Sequence, residues 1–158
     1  HGPDTRLVSR VIAEHRSILW ASPAYLDKHS KAEVPDDLTL HDCLSFKSGT
    51  RKQPWRIREM DGSWSTVGGR GRLRLHSGEA IRDAAIAGMG VGYLPSFLVD
   101  DAIADKRLEQ LLPEFETQTV PIIVIFPSKR YLAAKVRRFI DLMVEQWAHN
   151  RVSTPFDR

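Results

Sequence analysis

Apolar and polar positions alternate along this chain in short blocks, and their period switches between two and about 3.6 residues. Residues 17–22, SILWAS, are apolar and β-rich and predict a strand. Pro23 opens PAYLDKHS, a predicted short helix with proline in the first turn, where its missing N–H costs nothing. In VPDDLTLHDCLSF, Asp36 or Asp37 is placed to cap a brief helical turn before the strand-like CLSF. WRIREMDGSWSTV predicts a β-hairpin. Trp55, Ile57 and Met60 alternate before an Asp61-Gly62 turn, and Trp64 and Val67 follow it. GGRGRLRLHS continues as a strand through Leu73 and Leu75.

The stretch HSGEAIRDAAIAGMGVGYLP, residues 76–95, reads as turn, helix, glycine break and strand. With Ser77 as N-cap, Gly78 and Glu79 fill the first turn, and Ile81, Ala84, Ala85 and Gly88 form a face packed on a sheet. Gly88 ends the helix in the left-handed conformation, and Gly90 and Gly92 let the strand VGYLP pass close to neighbouring backbone. SFLVDDAIADKRL predicts a second helix with Ser96 as its N-cap. VPIIVIFPS is continuously apolar, as a strand buried on both faces should be. Leu132, Val136, Phe139, Ile140, Met143 and Trp147 then form a stripe of helical period, and the tail at 149–158 has none. The alternation of strands and helices predicts an α/β fold.

Composition narrows the function classes. At 158 residues the chain is one domain by length. Its net charge of +3, from 23 basic and 20 acidic residues, argues against a basic nucleic-acid surface. No apolar run approaches the roughly 18 residues of a membrane-spanning helix, and no signal peptide is visible. Cys43 is the single cysteine, which forbids an internal disulfide and fits a reducing, cytoplasmic setting.

Candidate chemistry is sparse. His41, Asp42 and Cys43 are adjacent, but His41 and Cys43 on one strand face lack nucleophile–base geometry, and Cys43 reads as a buried small apolar residue. His15, His29, His41 and His76 show no paired metal-ligand spacing, and no cofactor is expected. GGRGR at 68–72 reads as a bulge or turn, and the charges of KVRRF as a solvated helix face. The N-terminus expected at Ser77 follows a strand, where free N–H groups carry about half a positive charge and ligands commonly sit in open α/β sheets. Read on spacing alone, Ser77 is simply a helix cap.

Four blocks carry a resemblance: ILWASPAYLDKHSKAEVPDDLTLHDCLSFK, WRIREMDGSWSTV, GRLRLHSGEAIRDAAIAGMGVGYLPSFLVDDAIADKRLEQLLPE and PIIVIFPSKRYLAAKVRRFIDLM. Together, from about residue 7 to 147, they resemble the effector-binding domain of LysR-type bacterial transcriptional regulators. The resemblance implies a periplasmic-binding-protein-like (type 2) α/β fold, with two subdomains joined by crossover strands around a small-molecule cleft. On that pattern, 23–119 corresponds to the second subdomain, and 7–22 and 120–148 to the crossover strands and a remnant of the first. SILWAS and PIIVIFPS match the crossovers, and the helix at 132–147 returns to the first subdomain. Expected upstream counterparts are a winged helix-turn-helix and most of the first subdomain. The apolar stripe of the last helix is then expected to repack, to be covered by a second copy of the chain, or to belong to a longer protein. Studied alone, the chain is expected to form a dimer or a swapped arrangement, and its expected partners are copies of itself in a dimer or tetramer.

The same pattern implies effector contacts at Lys47, Ser48, Gly49 and Thr50, at His76, Ser77, Gly78 and Glu79, and at Pro95, Ser96 and Phe97. Hydroxyls and backbone N–H groups there suit a carboxylate, so the implied ligand is a small organic acid. Lys47 would add charge and Phe97 an apolar wall, although Lys47 also reads as solvated surface and Phe97 as core. The implied protein is a ligand-sensing regulator rather than an enzyme. It would touch DNA only through the N-terminal domain and no membrane. A module that only pairs copies of itself is the alternative.

Overall fold

The computed structural model describes residues 7–48, 51–52, 54–68, 70–71, 73–127 and 134–150. They fall into two compact units. One is Arg16–Thr119, and the other comprises the described parts of His1–His15 and Val120–Arg158.

The larger unit receives strand β1 (Leu7–Ala21) at Arg16. Helix α1 (Pro23–Leu26) follows, capped by Ser22 Oγ, which accepts from the Tyr25 N–H at 3.3 Å. A 3₁₀ turn (Pro35–Leu40) leads to β2 (Cys43–Ser48) and β3 (Arg51–Lys52). The expected hairpin is β4 (Trp55–Arg58) with β5 (Trp64–Val67), in register Trp55↔Val67. Gly62 holds its turn at φ +85°, a conformation that side-chain-bearing residues adopt at a cost. Then come β6 (Arg74–Leu75), α2 (Gly78–Ile86), β7 (Val91–Pro95), a 3₁₀ turn (Ser96–Leu98), α3 (Asp100–Ala104) and β8 (Glu109–Leu111).

The sheet runs β3–β2–β7–β1–β8, with β6 on the other edge of β2. Both β6 and β7 are parallel to β2, while β1 is antiparallel to β7 and β8. Alternate residues of each strand supply two cores. Leu19, Ala21, Cys43, Val91 and Tyr93 face one side, with Leu38, Trp55 and Ile57. Ile18, Trp20, Leu44 and Leu94 face the other, with Ile81, Ala85, Val99 and Ala102. A sheet covered on both faces explains why 17–21 and 91–95 are almost continuously apolar.

The smaller unit holds the first half of β1, β9 (Thr119–Pro127) and α4 (Ala134–Asn150). Strand β9 pairs with β1. Ala13, Phe126 and Ile140 are buried there, and Arg10 pairs with Asp141 at 2.9 Å. Strand β9 is not buried on both faces as its sequence suggests. Ile123 and Ile125 stay about half exposed, because a two-stranded ribbon with one described helix has cover for one face only.

Other expectations change in detail. Strand β1 begins ten residues before Ser17, through a polar stretch. The PAYLDKHS helix stops at Leu26. Asp37 is not an N-cap: its Oδ2 reaches back from inside the turn to the N–H groups of Glu33 (2.9 Å) and Val34 (3.1 Å). Ser96 caps nothing with its side chain, because a 3₁₀ turn intervenes and α3 starts only at Asp100. Met60 lies in the hairpin turn, exposed. The strand through Leu73 and Leu75 reduces to Arg74–Leu75. Leu132 and residues 151–158 of the tail lie outside the described residues.

Candidate functional site

Three chain segments leave the sheet at the same edge. Strand β2 pairs with β6 through Ser45↔Arg74 and Phe46↔Leu75, and with β7 through Cys43↔Val91 and Leu44↔Gly92. Continuing both registers sets Lys47, His76 and Pro95 in one row. The carboxyl ends of three parallel strands therefore bring together the end of β2, the start of α2 and the turn after β7. These are the three segments that sequence reasoning singles out, and in open α/β sheets this edge is where ligands sit.

Helix α2 begins as the sequence predicts. Ser77 is its N-cap, in extended conformation, and its Oγ accepts from the Ala80 N–H at 3.2 Å. The same hydroxyl donates to Glu79 Oε2 at 2.7 Å. That hydrogen bond holds the Glu79 carboxyl below its ordinary value, so an anionic charge already stands in the first turn. Gly78 is buried, and a Cβ there would lie 2.7 Å from Leu98 Cδ1. Glycine lets the helix start press against the turn that ends β7.

Around this start, His76, Ser77 and Glu79 are exposed and Lys47 is half-buried. Pro95 and Ser96 are half-buried, and Phe97 is 46% exposed, so Phe97 is not core. Ser48 pairs with Arg51 across β2 and β3, while Gly49 and Thr50 lie outside the described residues. Arg82, one turn into α2, reaches Leu98 O at 3.5 Å and Asp83 Oδ1 at 3.0 Å.

At the opposite end of β2 the residues of the HDC triplet separate. Cys43 is fully buried, with its thiol 3.7 Å from Leu38 O. His41 is also buried, and its Nδ1 lies 3.2 Å from Tyr25 Oη. The Tyr25 ring stacks on His29 with centroids 4.3 Å apart. Sequence reasoning missed this ring cluster, because nothing local links Tyr25 to residues 4 and 16 positions on. Among the described residues no group of three or more His, Cys, Asp or Glu side chains could hold a metal ion.

The family description LysR substrate binding domain matches residues 1–148. CrgA of Neisseria meningitidis serogroup C, an HTH-type transcriptional regulator, is 30% identical over 148 residues, covering 93% of this chain and 49% of CrgA. An HTH-type regulator of Haemophilus influenzae is 32% identical over 133 residues, covering 84% of this chain and 46% of the relative. The chain thus spans about half the length of these curated relatives. The CrgA regulatory domain superposes with a TM-score of 0.77 at 30% identity, covering 93% of this chain and 72% of that one. Full-length AphB, the Vibrio cholerae virulence activator, gives 0.76 at 27% identity, covering 92% and 49%. These neighbours share the periplasmic-binding-protein-like type 2 fold, and their names are those of transcriptional regulators, not enzymes.

Proposed function

Since this chain belongs to the LysR substrate-binding-domain family, we propose that it senses a small organic effector and pairs with copies of itself. In doing so it modulates DNA binding by a helix-turn-helix domain elsewhere in a cytoplasmic regulator. The observation supporting this reading is the convergence of three parallel strand ends, those of β2, β6 and β7, on one sheet edge; Lys47, the first turn of α2 and Phe97 are proposed as contacts there. Ser48, Gly49, Thr50, His76, Ser77, Gly78, Glu79, Pro95 and Ser96 complete the proposed contacts. A carboxylate would take its charge complement from Lys47 and from the amides of α2. Bound ligand favours one arrangement of paired sensing domains by its differential affinity for it, and by no more than that.

A thermal-shift panel of small organic acids tests the reading. At a hundred times its dissociation constant, a true effector adds about 2.7 kcal/mol to stability. The expected result is a saturable rise in Tm for one or a few acids, abolished by Lys47→Ala. A panel without any shift, on a chain that self-associates, favours the pairing-only module instead. The exposure of Phe139 at 59% and Leu142 at 50% on α4 supports that second reading.

A further inference from the structure

Three rings meet beside the start of β2, far along that strand from the edge just described. Tyr25 comes from α1, His29 from the segment after it, and His41 from the end of the first 3₁₀ turn. Tyr25 and His41 are buried and His29 is exposed. Tyr25 Oη accepts from the Asp42 N–H at 3.0 Å, and Asp42 O accepts from the Val91 N–H at 2.8 Å. The phenol thus ties α1 to the point where β2 and β7 begin.

We infer that Tyr25, His29 and His41 form a proton-sensitive latch, which holds α1 to the start of β2 while His41 is neutral and lets go when His41 takes up a proton. A tyrosine hydroxyl has one hydrogen to give. With the Asp42 amide donating to the phenol oxygen, the latched state has that hydrogen going to His41 Nδ1, 3.2 Å away, which must be bare to accept it. A proton on Nδ1 turns this acceptor into a donor. The phenolic hydrogen is then left without its partner in a buried place, at the cost of an unmade hydrogen bond.

The groups facing His41 oppose one another. Burial holds its proton affinity below the ordinary histidine value, and the nearby His29 ring, with centroids 6.3 Å away, adds to this. Asp37 on the 3₁₀ turn and the adjacent Asp42 pull the other way. The folded protein therefore prefers His41 neutral. The latch's contribution is complete above about pH 6.5, the unfolded value, and declines as pH falls below it. His29 stacks on the Tyr25 ring and closes the cluster from the solvent side.

Amide hydrogen exchange on the 158-residue chain, corrected for intrinsic rates, tests the latch. Protection of the Asp42 amide should hold between pH 8 and 7 and fall progressively below about pH 6.5, by at most about tenfold per pH unit for one proton. In His41→Asn, whose Oδ1 replaces Nδ1 as acceptor and does not titrate, protection should stay level. In Tyr25→Phe it should be low throughout. The imidazole nitrogen shifts of the unaltered protein give a readout that needs no variant. They should show a bare Nδ1 at pH 7.5, protonating with the same midpoint as the loss of protection. A proton on Nδ1 at pH 7.5, separate midpoints, or equal loss in His41→Asn overturns the latch.

Discussion

Trp20 occupies the space in front of Gly92. The two are paired across β1 and β7, and a Cβ on residue 92 would lie 2.4 Å from Trp20 Cη2. What Gly92 clears is therefore an indole, not backbone as the sequence suggests. The backbone approach belongs to Gly90, at φ +152°, where a Cβ would meet Asp42 O at 2.2 Å.

The Trp20 indole is fully buried and cannot swing out, so Gly92→Ala overpacks the core beneath α2. We expect a loss of about 1–3 kcal/mol in urea unfolding with unchanged slope. In a Trp20→Phe background, which removes the clashing six-membered ring, the cost of Gly92→Ala should shrink by at least half. Equal costs in both backgrounds would place the strain elsewhere.

Ser77 works at both ends of its hydroxyl, and the two partners make separable predictions. Ser77→Ala removes the cap and should cost about 1 kcal/mol. Glu79→Gln removes the anion standing at the α2 start, so a carboxylate ligand should bind about threefold or more tighter. Isothermal titration with an acid found by thermal shift measures this. Unchanged or weaker binding would place the carboxylate away from α2.

What was readable in the sequence follows the range of the interactions involved. Helix α2 came out nearly residue by residue, because its cap at Ser77, its face at Ile81 and Ala85 and its left-handed stop at Gly88 are all local signals. The first ten residues of β1 carried no such signal; they are extended because β9 pairs with this strand. Nor could any single segment reveal that Lys47, His76 and Pro95 end in one row, since that depends on two parallel registers. Apart from the helix start at Ser77, whose place after a strand is a local signal, these segments are named only through family resemblance. The contact of Tyr25 with His41 arises from a turn of the chain between them, and no spacing rule announces it.

Asp37 gives a prediction with a definite pH window. Its carboxyl accepts from the N–H groups of Glu33 and Val34, and these hold it below its ordinary value of 3.8. A depressed folded value means that the stabilisation is present above about pH 4 and vanishes as pH falls through the folded value. Asp37→Ala should therefore lower Tm at pH 7, and its difference from the unaltered protein should close toward pH 2–3. A constant difference across that range would mean that Asp37 acts through packing rather than charge.

The exposed apolar side chains of the smaller unit make the self-association reading measurable. On α4, Ile140 is 2% exposed, whereas Phe139 and Leu142 are half exposed or more. Each such side chain gains about 1.5–3 kcal/mol on full burial, so a face carrying several favours a covering partner. A second copy of the chain supplies the same face at no further cost in sequence, as twofold pairing requires. We expect light scattering to report a dimer or larger at tens of micromolar. Phe139→Asp with Leu142→Asp should shift it to monomer while leaving the circular dichroism spectrum unchanged, because neither side chain belongs to a buried core. If the unaltered chain is monomeric at that concentration, α4 does not pair copies of this chain. If the double variant remains dimeric, the contact lies on another surface.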